Sequence, residues 1–159
     1  MSDRSGRQAG SRQRAQRNQR RHQARILAMQ TLYESGMTGH SPSEILARTR
    51  AQGGNPVETV DYASFLLDGV RARERDIIEQ IEAVATDFPA SDLPPIDASV
   101  LKIAIFEVLY ADDVPVRAAV NEAVSIAREY GGESSSRFVN GVMGTIVDEL
   151  TSTSGRGSD

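Results

Sequence analysis

The sequence predicts an all-α protein, and three observations support that class. Apolar residues recur at helical spacing through most of the chain after residue 20. No segment alternates apolar and polar residues convincingly over the length of a strand, and Gly or Pro clusters separate the periodic segments. The chain has 159 residues, 39% of them hydrophobic, which is enough for one domain with an aliphatic core. We therefore expect about seven helices in a single domain over residues 20–151.

Two helices are expected before residue 53. The first begins near Arg20 and ends at the glycines that follow residue 35. Its apolar residues fall at helical spacing: Ile26, Met29, Leu32 and Tyr33. The sequence Ser-Pro-Ser-Glu from Ser41 resembles a capping box with proline in the first turn. A short second helix should therefore begin there and end near Arg50.

Residues 57–88 predict a helical pair. This segment contains no proline, and its apolar residues keep a helical rhythm throughout. One helix of this length would extend for about 48 Å, which is long for a domain of this size. We therefore expect a break near the charged residues 71–76.

Three further helices are expected after a proline-rich linker at residues 89–95. Asp97 is predicted to cap the N-terminus of the first, which is apolar around most of its circumference and should be buried. The next begins after Asp112–Pro115 and ends at Gly131–Gly132, and the last runs from about Ser134 to Leu150. Gly141 and Gly144 lie three residues apart in that last helix, which favours a close approach of another helix.

The charge is distributed unevenly along the chain. The formal net charge is −4, but residues 1–25 carry eight arginines and one acid, a net charge of +7. The other 134 residues carry 10 basic and 21 acidic side chains, a net charge of −11. Residues 1–19 lack large apolar side chains after Met1, so we expect a disordered, Arg-rich extension. Residues 152–159 are expected to form a flexible tail.

Several classes of protein are excluded by what the sequence lacks. It has no cysteine, and its two histidines, His22 and His40, have no partners at metal-ligand or general-base spacing. Its Gly-rich and Ser-rich segments lack the context of a phosphate loop or a nucleophile elbow. No apolar stretch reaches the roughly 18 residues that cross a membrane, and no export signal is present. We expect a cytoplasmic protein without enzymatic activity, metal or cofactor.

The basic segment from Arg17 to Arg25 is the candidate functional surface. Arg17, Arg21 and Arg25 are spaced at four residues and would share one face of a helix. Arginine pairs with phosphate oxygens and stacks on exposed bases, while Gln and His side chains such as Gln23 and His22 can contact base edges. The segment therefore predicts nucleic-acid binding, although a solvated basic tail would have the same composition.

The sequence resembles the NusB transcription antitermination factors from about Arg20 to Leu150. The motifs that carry the resemblance occur in the same order and with similar spacing: Ala104–Leu109, Asp113–Pro115, Val120–Val124 and Phe138–Val142. Weaker similarity lies in Ala24-Arg25 with Leu32–Glu34, and in Leu66–Val70. The resemblance implies an all-helical, NusB-like fold of two small bundles, which agrees with the division at the proline-rich linker.

The resemblance also implies a function and partners. Members of the family bind the boxA element of single-stranded leader RNA, usually with the small-subunit ribosomal protein NusE. They do so in an antitermination complex on RNA polymerase with other Nus factors, and ribosomal RNA operons are the expected targets. The arginine motif maps onto Arg20, Arg21 and Arg25, and further RNA-binding or partner-binding positions map onto Tyr33, Asp97 and Phe138. At His22 and Gln23 the family would have more basic residues, for which the upstream Arg12, Arg14 and Arg17 could compensate.

Two alternatives belong to other functional classes. The chain could be a helical interaction scaffold or a homodimer without direct RNA specificity. A similar helical domain also occurs fused to RNA cytosine methyltransferases. A stand-alone methyltransferase is not expected here, because 159 residues leave no room for a cofactor-binding α/β domain.

Overall fold

The computed structural model describes residues 3–156, which form seven α-helices and no strand. The predicted all-α class and the number of helices are thus confirmed for this part of the chain. In chain order the helices are α1 Asp3–Thr38, α2 Pro42–Gln52, α3 Val57–Ala72, α4 Glu74–Val84, α5 Pro95–Tyr110, α6 Val116–Gly131 and α7 Glu133–Arg156. A single 3₁₀ turn, Ala90–Asp92, lies in the linker before α5.

Helix α5 joins two groups of helices. Helix α1 packs on α2 and α3, while α6 packs on α7, and α5 contacts α1, α3, α4, α6 and α7. As predicted from its apolar circumference, α5 contributes fully buried side chains such as Leu101 and Ile105. These belong to one continuous hydrophobic core that both groups share.

Local signals place the start of α2 and the break between α3 and α4 where the sequence predicts them. The Ser41 hydroxyl accepts a hydrogen bond from the backbone N–H of Glu44 at 3.2 Å, which caps α2. The predicted break in residues 57–88 falls at Arg73, which separates α3 from α4.

The prediction of a disordered extension over residues 1–19 is wrong for residues 3–19, which form the first half of α1. Their side chains are almost all exposed, so packing does not explain this helix. Helix propagation is much cheaper than nucleation, and residues 24–29 are firmly packed and supply the nucleus. Arg, Gln and Ala are good helix formers, and no proline interrupts them. At the other end, α7 continues through Arg156 into the predicted tail, whereas residues 1–2 and 157–159 lie outside the described residues.

Asp97 does not cap α5 as predicted. The helix begins two residues earlier, at Pro95, because proline in the first turn already has the helical φ and needs no N–H partner. Asp97 is instead a buried residue of that first turn, 4% exposed, and its Oδ1 has no hydrogen-bond partner among the described residues. A carboxylate at this position still interacts favourably with the N-terminal end of the helix dipole.

A glycine does permit a close helix approach, but not either of the two expected in α7. A Cβ added at Gly141 or Gly144 would have no atom within 4 Å outside its own helix. A Cβ at Gly69, in α3, would lie 2.1 Å from the Phe106 ring of α5. The close approach is therefore between α3 and α5, where the two groups of helices meet.

Candidate nucleic-acid interface

The predicted arginine stripe exists, but it turns progressively into the protein. Arg17, Arg21 and Arg25 lie on the face of α1 that meets α5 and the α5–α6 connection. The exposed fraction of their side chains falls from 59% to 19% to 7% along the helix. Only the N-terminal part of the stripe is therefore open to a ligand.

Asp113 forms ion pairs with the first two arginines of the stripe, Arg17 and Arg21. It lies between α5 and α6, and Arg21 Nη2 donates to its Oδ2 at 2.6 Å, while Arg17 Nη2 is 3.8 Å from the same oxygen. The hydrogen bond from Arg21 holds the pKa of the Asp113 carboxyl below its ordinary value, and the nearby charges of Arg21 and Arg17 act in the same direction. Asp113 is therefore ionised at neutral pH and competes for the cations that a phosphate would need.

Arg25, the third arginine of the stripe, forms a buried ion pair with Glu107 of α5. Its Nε and Nη2 donate to the two carboxylate oxygens at 2.7 and 2.8 Å. Tyr62 of α3 donates its hydroxyl to Glu107 Oε2 at 2.6 Å, so three helices meet at one carboxylate. Burial, together with the charge and hydrogen bond of Glu107, raises the pKa of Tyr62 well above its ordinary value. Because the Arg25 side chain is 7% exposed and paired with Glu107, its position does not fit a direct RNA contact.

His22 is also engaged within the protein. Its Nδ1 lies 2.7 Å from Oε2 of Glu122 in α6, and Arg25 Nη1 lies 3.4 Å from the same oxygen. Both His22 and Glu122 keep 29% of their side chains exposed. We call these linked side chains the ion-pair cluster: Arg25, Glu107, Tyr62, Glu122 and His22. His22 lies at its edge, where only the outer side of the ring can contact a ligand.

The exposed cations lie earlier in α1. Arg12 and Arg14 are exposed and form no ion pair with another described residue. Arg20 is 41% exposed and pairs with Glu58 of α3 at 3.0 Å, and Gln23 is exposed on the same side. Four arginines thus lie along the exposed N-terminal half of α1, and we call them the α1 basic surface: Arg12, Arg14, Arg17 and Arg20.

The remaining predicted site residues are dispersed. Tyr33 is 39% exposed, three helical turns beyond Arg21 in α1. Phe138 in α7 is half-buried and lines a separate cavity of about 400 Å³ with residues of α4 and the α4–α5 linker, including the exposed Phe88. None of the residues lining that cavity comes from α1. Asp97 is buried, as described above.

Two partners of the arginine stripe were not identified by the sequence pattern: Glu107 and Tyr62. Glu107 is separated from Arg25 by 82 positions, and Tyr62 from Glu107 by 45. One signal was available, because Glu107 is an isolated charge in the apolar segment Ile103–Leu109. A lone acid in a buried helix requires a cationic or hydrogen-bonding partner.

The described residues contain no group of three or more His, Asp and Glu side chains placed to hold a metal ion. Within the same residues, no helix combines the length and the apolar character that crossing a membrane requires.

Comparison with known proteins identifies relatives along most of the chain. The NusB family model matches residues 22–148. The transcription antitermination protein NusB of Dehalococcoides mccartyi strain CBDB1 is 37% identical over 84% of this chain and 93% of its own. The protein of the same name from Roseiflexus sp. strain RS-1 is 38% identical over 80% of this chain and 91% of its own.

Solved structures share the fold. NusB of T. maritima superposes with a TM-score of 0.74, at 24% identity, over 81% of this chain and 91% of that one. A chain from the crystal structure of the antitermination factors NusB and NusE in complex with double-stranded RNA has a TM-score of 0.74 at 21% identity. That match covers 82% of this chain and 98% of the other.

Proposed function

This chain belongs to the NusB family, and we propose that it is a transcription antitermination factor that binds boxA-type single-stranded leader RNA together with the ribosomal protein NusE. In this role it promotes processive transcription of ribosomal RNA operons, in a complex with RNA polymerase and other Nus factors in the cytoplasm. The observation that carries the proposal is the α1 basic surface, which adjoins the first residues of the family match. The solved complex of NusB and NusE with double-stranded RNA supports RNA and NusE as classes of partner, and the single-stranded form is our own proposal.

The geometry suggests separate roles for the candidate residues. Arg17, Arg20 and Gln23 are exposed enough to contact RNA directly. Arg21 is held by Asp113, which competes with a phosphate for it. His22 and Arg25 are held by Glu122 and Glu107 and instead fix α1 against α6 and α5. We assign them to positioning the RNA-binding residues rather than to the RNA itself.

The other candidates lie apart from the α1 basic surface. Tyr33 offers an exposed ring, and aromatic rings are common stacking partners of unpaired bases. Phe138 and Asp97 lie on α7 and α5 and are proposed for the protein partner, and Phe138 is also proposed as a separate RNA contact. Because Asp97 is buried, its part in partner binding would be to stabilise the first turn of α5.

The decisive experiment is a titration of labelled boxA RNA with the full chain, with and without NusE. Binding should be tighter for boxA than for a scrambled RNA of equal length. It should also weaken with salt, by roughly 0.7 logarithmic units per phosphate contact for each tenfold increase in salt concentration. Equal affinity for boxA and scrambled RNA, both with and without NusE, would contradict the proposal and favour a scaffold or homodimer.

The variant R17Q/R20Q tests the α1 basic surface. Affinity for boxA RNA should fall roughly a hundredfold or more, because each of the two lost charged contacts contributes about 1.5 kcal/mol or more. The salt dependence should become shallower by about 1.4 units for two lost phosphate contacts. The matched control is R71Q/R75Q, which removes two exposed arginines of α3 and α4 and should bind as the native chain does. Equal losses in both variants would show a nonspecific effect of net charge.

Replacing Asp113 by asparagine should strengthen RNA binding. Arg17 and Arg21 would lose a competing carboxylate, and the surface would lose one negative charge. We expect the affinity for boxA RNA to rise roughly two- to fivefold at low salt, and the gain to shrink as salt increases. Fluorescence anisotropy at two salt concentrations measures this, and weaker binding by D113N would mean that Asp113 orients the arginines for RNA.

A further inference from the structure

An open groove lies between the exposed half of α1 and the first half of α3, and we call it the α1–α3 groove. Its volume is about 610 Å³, which is within the range of small-ligand sites. Its apolar floor is Phe65 with Tyr62, and its opposite wall is formed by Gln13, Gln16 and Arg17. The groove therefore combines aromatic rings with amide and guanidinium groups.

Phe65 is an exposed aromatic side chain on a rigid support. It is 46% exposed, yet its ring lies 5.6 Å from the Tyr62 ring and 5.4 Å, edge-on, from the buried Phe106 ring. Tyr62 is itself held by its hydrogen bond to Glu107 and by Arg21, whose guanidinium carbon lies 4.6 Å from the ring centroid. The open side of the Phe65 ring is thus held in place before any ligand arrives.

The charges around the groove favour an anion. Two acids line it, but Glu58 is paired with Arg20 at 3.0 Å and Asp61 with Arg50 at 3.0 Å. Arg17 keeps 59% of its side chain exposed and is 3.8 Å from Asp113, a distance that leaves it free to turn toward a phosphate. The amides of Gln13 and Gln16 can both donate to and accept from a base edge.

We propose that the α1–α3 groove binds one unstacked base of single-stranded RNA. Phe65 is the stacking platform, Arg17 contacts the adjoining phosphate, and Gln13 and Gln16 contact the base edge. The inference rests on the proposed RNA-binding function and adds a subsite to it. Gln13, Gln16 and Arg17 precede residue 22, where the family match begins, so the N-terminal extension of this chain completes the subsite.

The test uses the absence of tryptophan from the chain. In the full-length F65W variant a single indole replaces the platform, and a stacked base should quench its fluorescence. Titration with boxA-containing leader RNA should produce quenching whose midpoint matches the anisotropy of labelled RNA. Inorganic polyphosphate, which has phosphates but no bases, should bind without quenching. The control Y130W places an indole at another exposed aromatic position, at the end of α6 and outside the groove, and should not be quenched.

Affinity provides an independent measurement. F65A should bind the same RNA roughly 5- to 100-fold more weakly than the native chain, the range found when one base–aromatic stack is lost. F65W should bind at least as tightly as the native chain, and Y130A should be unchanged. Circular dichroism of F65A tests whether the helices are intact. If F65A unfolds, the quenching of F65W still tests whether a base stacks at this position.

Three outcomes would overturn the inference. If F65A binds RNA with native affinity and F65W is not quenched, the proposed subsite is wrong, but the proposed RNA-binding function is not affected. Failure of every variant, and of the native chain, to bind RNA would remove both. Fluorescence of F65W that changes with protein concentration alone, with dimers in sedimentation, would make the groove a contact between two copies of the chain.

Discussion

Replacing Glu107 by alanine is expected to lower the free energy of unfolding by about 3–5 kcal/mol. The substitution removes the carboxylate that accepts from both Nε and Nη2 of Arg25, which is 7% exposed, and among the described residues leaves it only Glu122, 3.4 Å from Nη1. It also removes the acceptor of the Tyr62 hydroxyl, so α1, α3 and α5 lose the side chain that links them. Because natural domains are stable by only about 5–15 kcal/mol, the loss would be a large fraction of the total.

Urea denaturation followed by circular dichroism measures this loss. The matched control is E58A, which removes the carboxylate of an exposed pair with Arg20 and should cost about 1 kcal/mol or less. The double variant R25M/E107L should be more stable than E107A, since neither charge then remains buried without a partner. If E107A were as stable as E58A, Glu122 or water would be sufficient to satisfy the Arg25 guanidinium without Glu107.

The second large effect is expected from Gly69→Ala, which should destabilise the protein by about 1–3 kcal/mol or more. The added methyl group would lie 2.1 to 2.7 Å from three atoms of the Phe106 ring, so α3 and α5 would have to separate or the ring would have to move. Phe106 is 5% exposed and contacts the rings of Phe65 and Tyr110, which leaves it little freedom.

Gly144→Ala is the control for this prediction. A Cβ at Gly144 meets nothing within 4 Å outside its own helix, and alanine favours a helix over glycine by up to about 1 kcal/mol. G144A should therefore be slightly more stable than the native chain in thermal or urea denaturation. Equal stability of G69A and the native chain would mean that the α3–α5 interface tolerates an extra methyl group.

The sequence predicts the helical framework well because the signals for it are local. The capping box at Ser41, the break near Arg73 and the apolar circumference of α5 each depend on residues within a few turns of one another. Gly69 shows the limit of such signals. Gly69 is not part of a glycine pair in the sequence, whereas Gly141 and Gly144 lie three residues apart. Only the packing of α3 on Phe106 shows that Gly69, and not the pair in α7, lies at a close helix contact.

The arginine stripe shows a second limit. Spacing correctly places Arg17, Arg21 and Arg25 on one face, but it does not show what that face meets. The acids that meet it belong to α5, α6 and their connection, more than 80 positions further along the chain. The same cationic pattern therefore includes one exposed residue and one residue of the core, a difference that only tertiary structure determines.

The unbroken course of α1 has a mechanical consequence. Its 36 residues make a rod about 54 Å long, anchored along its second half and free along its first. A flexible tail would search a large volume and would lose that freedom when it bound RNA. A helix of this kind fixes the backbone positions of its arginines before RNA arrives, so little backbone entropy is lost on contact. The anchoring of α1 by Glu107 thereby sets the direction from which RNA can approach.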